Sequence, residues 1–167
     1  DIVGRRPVLI SGMLLFTVTG FGFGLLAAVN TYVSQSLGRE RLAECAAYTW
    51  QGFYLAVFMG VLVLPLWILA GPIFDLFGHD PAVRQMEIDY FRINIFGVAP
   101  VLISVAANNF FTGIHRPSVS LVATVIANLF NLAANYVLIF GHFGFPAMGV
   151  AGAAWGTVAA SVLNAVL

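Results

Sequence analysis

No lysine occurs among these 167 residues, and seven arginines are balanced by seven acidic side chains, so the net charge is zero. A chain without a basic excess has no electrostatic footprint for nucleic acid, which excludes DNA and RNA as partners. Charged residues of either sign make up 8% of the chain, against about 25% in ordinary soluble domains. Together with a hydrophobic fraction of 60%, that scarcity excludes a soluble globular domain and a disordered chain alike. The single cysteine, Cys45, excludes an internal disulfide framework and a cysteine-based metal site.

Catalytic patterns are also missing. His79, His115 and His142 fall in three different connections, without His-x-x-x-His or carboxylate–histidine spacing. There is no Gly-x-Ser-x-Gly elbow, no phosphate loop and no paired carboxylate inside an apolar run. The run Gly20-Phe-Gly22-Phe-Gly24 lacks the strand, turn and downstream acid of a dinucleotide fingerprint, and reads instead as close helix packing. The chain is therefore expected not to be an enzyme and to need no bound cofactor. His79 beside Asp80 reads as a solvated loop pair. Asp89 and Arg92, three residues apart, read as an interfacial ion pair, and Asp75 at the end of span two reads the same way.

What is present is long and apolar. The charge-free windows are 7–38, 45–74, 93–115 and 117–167. About 20 apolar residues in a helix cross a hydrocarbon core of roughly 30 Å. The last window is interrupted by the turn-forming string Gly141-His-Phe-Gly-Phe-Pro146 and holds two spans. Five spans follow, over 8–30, 49–70, 91–112, 119–140 and 149–167. The fold class is all-α, a polytopic membrane bundle forming one domain over 1–167. Barrel strands would need alternating segments of roughly ten residues, and these windows are continuous. No small-residue cleavage site follows residues 1–6, so no signal peptide is expected.

The flanks fit these limits. Asp80-Pro81 reads as an N-cap and first-turn proline opening a short helix before the third span. Arg116-Pro117 ends the third span and opens the fourth. Trp50, Tyr48, Trp67 and Tyr90 stand near span ends, where amphipathic rings favour the interface. Pro65 and Pro100 interrupt spans two and three and imply kinks. Arginines on the two sets of connections nearly balance, which leaves the orientation open.

The spans also carry polar side chains in register. Thr124, Asn128, Asn131 and Asn135 fall at i, i+4, i+7 and i+11 on the fourth span, one stripe of a helix. An unpaired amide in hydrocarbon costs several kcal/mol, so the stripe should face protein or a wet cavity. Asn108 and Asn109, Gln51, Thr157 and Asn164 on other spans are the candidate partners. Such amides can merely tie helices together, but a three-asparagine stripe matched on three further spans favours a polar interior.

Four strings carry a family likeness, in order along the chain. They are Gln35-Ser-Leu-Gly38; Asn108-Asn-Phe-Phe-Thr-Gly113 with Arg116-Pro117; Asn131-Leu-Ala-Ala-Asn135 running to Phe140-Gly141; and Pro146-Ala-Met-Gly149 running to Thr157. With them the chain resembles the multidrug and toxic compound extrusion (MATE) transporters. The resemblance implies helices two to six of the N-terminal lobe of a twelve-helix, two-lobe fold, with helix one and the second lobe missing. It implies a piece of a secondary active antiporter in the cell membrane, plasma or inner, exporting drugs or organic cations in exchange for protons or sodium. The implied partners are a cationic or amphipathic small molecule, the bilayer and the second lobe. Segments 34–48 and 113–118 would be cytoplasmic. Asn108, Asn131, Asn135 and Thr157 match positions lining the family's N-lobe cavity; Asn128 and Gln51 join them as candidate pathway residues. An acid found on the fifth helix of some members is Asn135 here, which cannot take up a proton. The helix-one acid is absent unless Asp1 is its remnant. Two other readings remain: a flippase for lipid-linked precursors, which would line its cavity with Arg or Lys for pyrophosphate, and a structural bundle with no substrate.

Overall fold

In lipid every backbone N–H and C=O must be satisfied within the segment, so long apolar runs of Leu, Ala and Val close into helices. The computed structural model describes the backbone from Ile2 to Leu167 and side chains from Leu9 onward; Asp1 lies outside the described residues. The described chain contains seven helices. They are α1 (Ile2–Gly38), α2 (Leu42–Val63), α3 (Leu66–Asp75), α4 (Pro81–Ile95), α5 (Val98–Gly113), α6 (Pro117–Phe140) and α7 (Gly149–Val166). Four helical stretches are long and apolar enough to cross a membrane, and α4 with α5 makes a fifth if the bent pair counts as one span.

Prolines set the breaks. The α4–α5 pair bends by 47°, and the bend falls at Phe96–Gly97 rather than at Pro100 itself. Phe96 lies four residues before Pro100, where its carbonyl would meet the pyrrolidine ring and find no N–H donor. The turn there tightens instead, with Gly97 N donating to Asn94 O at 2.9 Å. The expected short helix from Asp80 therefore has no end before the third span; it runs straight into it. Asp80 does cap it, its carboxylate accepting from Ala82 N at 2.9 Å, with Pro81 in the first turn. Likewise α2 stops at Val63 and restarts as α3 just after Pro65, so the second span is Leu42–Val63, followed by the shorter apolar helix Leu66–Asp75. The first span continues past residue 30 to Gly38, because nothing before that glycine breaks it.

The core lies where α1, α2, α3, α4 and α5 meet. Phe74, Phe91, Ile95, Leu102 and Leu26 are fully buried there, with Phe74 and Phe91 edge to face at 5.5 Å. Between lipid and protein there is no water to expel, so close packing of small residues holds such helices together. A Cβ added to Gly22 would strike Leu102, and one added to Gly60 would strike Ala99. Gly20 and Gly24 face open space, so close packing accounts only for the middle member of that glycine run. α7 touches α4, α5 and α6, whereas α6 packs on α7 and only lightly on α5. Within the apolar window of α6, 6% of residues are buried.

Candidate functional site

The polar residues of α6 and α7 meet because glycines let the two helices approach. Gly152 lies against the Leu138 carbonyl, where even an alanine Cβ would sit 2.6 Å from the oxygen, and Gly156 accepts the Asn135 side chain. Asn135 Nδ2 donates to Asn131 Oδ1 at 3.0 Å. Its own Oδ1 is buried without a hydrogen-bond partner. That is an acceptor in a low-dielectric site with its hydrogen-bonding capacity unused.

Above this pair a groove of about 260 Å³ opens between α6 and α7, lined by Thr124, Asn128, Asn131, Thr157, Ser161 and Asn164. A second cavity of about 170 Å³ shares Thr124, Ser161 and Asn164 and adds Ser104 and Asn108 from α5 and Ser120 from α6. A third, of about 320 Å³, shares Thr157 and Ser161 and reaches Thr19, Tyr90 and Asn94 on α1 and α4. Ser161 of α7 is thus common to all three, and Thr157 to two of them. Thr157 and Ser161 return their hydroxyl protons to the carbonyls four residues earlier, at 2.9 Å. Their oxygens remain free to accept. Asn128 likewise donates to Thr124 O at 2.9 Å, leaving its carbonyl to the groove. Every residue lining the three cavities is uncharged. The surface can accept hydrogen bonds, solvate a cation through amide and hydroxyl oxygens, or hold water.

Of the residues read from the sequence, the structure brings Asn108, Asn128, Asn131 and Thr157 to these adjoining cavities, while Asn135 lines none of the three and bonds to Asn131. Gln51 does not join. It lines a separate groove between α1 and α2 with Leu25, Tyr32, Tyr48 and Leu55. Asn109 turns back to donate to Val105 O at 2.9 Å. Ser161, Ser104, Ser120, Thr19, Tyr90 and Asn94 were not singled out as lining residues. Spacing carried part of that signal, since Thr157, Ser161 and Asn164 fall at i, i+4 and i+7 and Tyr90 and Asn94 at i and i+4.

Two charge expectations are corrected, for Arg92 and for His79, while Asp75 does form an ion pair. Asp89 and Arg92 do not pair: Asp89 accepts from Gln85 Nε2 at 2.9 Å. Arg92 instead donates Nε–H to Trp67 O at 3.1 Å, with its guanidinium 4.7 Å from the Trp67 ring centre. The bend and the packing of α3 on α4 bring a carbonyl and an aromatic face within reach of that arginine, which periodicity along one helix could not show. Asp75 pairs with Arg84 across the α3–α4 turn. His79 does not share a solvated loop with Asp80. It points inward to Glu87, while Asp80 serves as helix cap.

Residues 8–137 match the family model described as MatE. The chain is 33% identical over 160 residues to the "Probable multidrug resistance protein NorM" of Rhizobium meliloti (strain 1021), covering 96% of this chain and 34% of that protein. It is 34% identical over 143 residues to the "Multidrug resistance protein MdtK" of Klebsiella pneumoniae, covering 85% of this chain and 31% of that one. The chain therefore spans about a third of the length of the curated relatives it matches. A solved structure titled "Inward-facing conformation of a multidrug resistance MATE family transporter of the MOP superfamily" superposes with a TM-score of 0.81. It covers 99% of this chain and 36% of that one at 16% identity, a likeness of fold. With its all-helical multi-pass architecture and a family match over most of its length, the chain belongs to the MATE family of multidrug efflux transporters.

Proposed function

We propose that this chain forms the N-terminal-lobe part of a secondary active antiporter that exports drugs or organic cations in exchange for protons or sodium. One observation carries the reading: uncharged oxygen-bearing side chains from α5, α6 and α7 line adjoining cavities in an otherwise apolar bundle. Asn108, Asn128, Asn131 and Thr157 offer oxygens to a hydrated path, and Asn135, with its own Oδ1 unpaired, donates to Asn131 of that lining. Neutral oxygens bind a weakly hydrated cation without trapping it, which suits a site that must also release. An amide cannot take a proton, so these residues position water or an ion and leave proton uptake to another group. The uncharged lining also weighs against pyrophosphate, which pairs best with arginine.

The test is the protein as its gene encodes it, expressed in a host lacking its own pumps. Asn131→Leu and Asn135→Leu should abolish drug resistance at unchanged expression. Resistance retained by both would remove the groove from the transport path. A cysteine at position 131 should react with a small polar thiol reagent. Failure to react would favour an inert bundle.

A further inference from the structure

Among the described acidic side chains, Glu87 of α4 is the one fully buried, at 0% exposure. An ionised carboxylate in such a place needs a partner, and it has one. His79 Nδ1 lies 3.0 Å from both carboxylate oxygens, hydrogen-bonded to Oε2. Oε1 has no hydrogen-bond partner of its own. The imidazole is 30% exposed, stacks on Phe77 at 5.8 Å, and follows Gly78, whose φ of +63° turns the chain back. One ring nitrogen thus faces a buried acid while the ring's other edge reaches solvent.

The remaining charged groups nearby are accounted for. From α3, Asp75 is held by Arg84. On α4 itself, Asp80 caps Ala82 N and Asp89 takes Gln85, while Arg92 is engaged by Trp67. From α1, Ser11 Oγ donates to the backbone carbonyl of Glu87 at 3.1 Å; Arg5 and Arg6 of that helix have side chains outside the described residues. α7, also packed on α4, contains no ionisable side chain.

We propose that His79 and Glu87 form a proton-binding site at the α3–α4 turn, separate from the polar groove, and that its occupancy sets how firmly the turn is held to α4. A proton from water adds to the imidazole, forming an N–H bond and an imidazolium that pairs with the Glu87 carboxylate. The site is then electrically neutral and its hydrogen bond is charge-assisted. When that proton leaves, a buried carboxylate keeps only a neutral N–H donor, and the turn loosens. Imidazole is the side chain suited to making this change between about pH 5 and 8.

The experiment is backbone hydrogen exchange over residues 76–82 in the full gene product in lipid nanodiscs, compared at pH 5.5 and 8.5 after correction for intrinsic exchange. In the wild type, protection should fall about tenfold or more at the higher pH, the size expected for losing a charge-assisted hydrogen bond. In Glu87→Gln and His79→Asn, which keep hydrogen bonding but cannot form the ion pair, protection should not vary with pH. Residues 101–106 of α5 serve as an internal reference. Wild-type protection that is flat across pH would overturn the proposal, as would an unchanged pH response in both variants. Histidine-labelled NMR of the wild type gives a reading that needs no variant: a ring at position 79 that does not titrate between pH 5 and 9 would also overturn it.

Discussion

Arg92 shows how a single side chain settles its charge near an apolar boundary without an acid. Its Nε–H reaches the Trp67 carbonyl and its guanidinium lies over the Trp67 ring, so the positive charge meets a dipole and a quadrupole instead of a carboxylate. A double-mutant cycle between Arg92 and Trp67, with Arg92→Leu and Trp67→Leu, should give a coupling of about 0.5–2 kcal/mol in unfolding measurements. The same cycle between Arg92 and Asp89 should give about zero within error. Substantial coupling to Asp89 would restore the ion pair that spacing alone implied. The i, i+3 spacing of the two residues was legible in the sequence. The choice of partner was not, because Trp67 lies in a different helix.

Helices meet here through small residues, and the α6–α7 pair depends on two of them. Gly152→Val would drive a branched side chain into the Leu138 carbonyl, overpacking that should destabilise the pair by about 1–3 kcal/mol. Thermal unfolding of the full protein in detergent would measure it, and wild-type stability in Gly152→Val would show that α6 and α7 are not in this close contact. At the α4–α5 bend, Pro100→Ala returns an N–H donor to face the Phe96 carbonyl. The 47° angle should then decrease, read as a longer distance between spin labels at positions 85 and 112. An unchanged distance would assign the bend to packing of Gly97 against Val158 instead of to proline. Both prolines that break spans were visible in the sequence. The break at Phe96–Gly97 was displaced from Pro100 because proline disturbs the turn before it.

At the level of the entire bundle, the imbalance of burial between α6 and the other spans is a matter of partners. α5 is held by both α1 and α2, whereas α6 leaves most of its surface uncovered by this chain. Expression of residues 1–167 alone should confer no drug resistance where the full gene product does, because the proposed pathway lies open on one side. Resistance from the 167-residue piece would refute a pathway shared with a second lobe.

Composition and hydrophobic run length were enough to specify a multi-pass helical bundle, since about 20 uncharged apolar residues have one stable arrangement in lipid. The asparagine stripe was also readable, because helical periodicity places those amides on one face whatever surrounds them. Which residues complete the groove, why Gln51 stands apart from it, and why Glu87 is buried against His79 depended on how separate helices pack. Those are contacts between residues far apart in the chain, and local spacing carries no record of them.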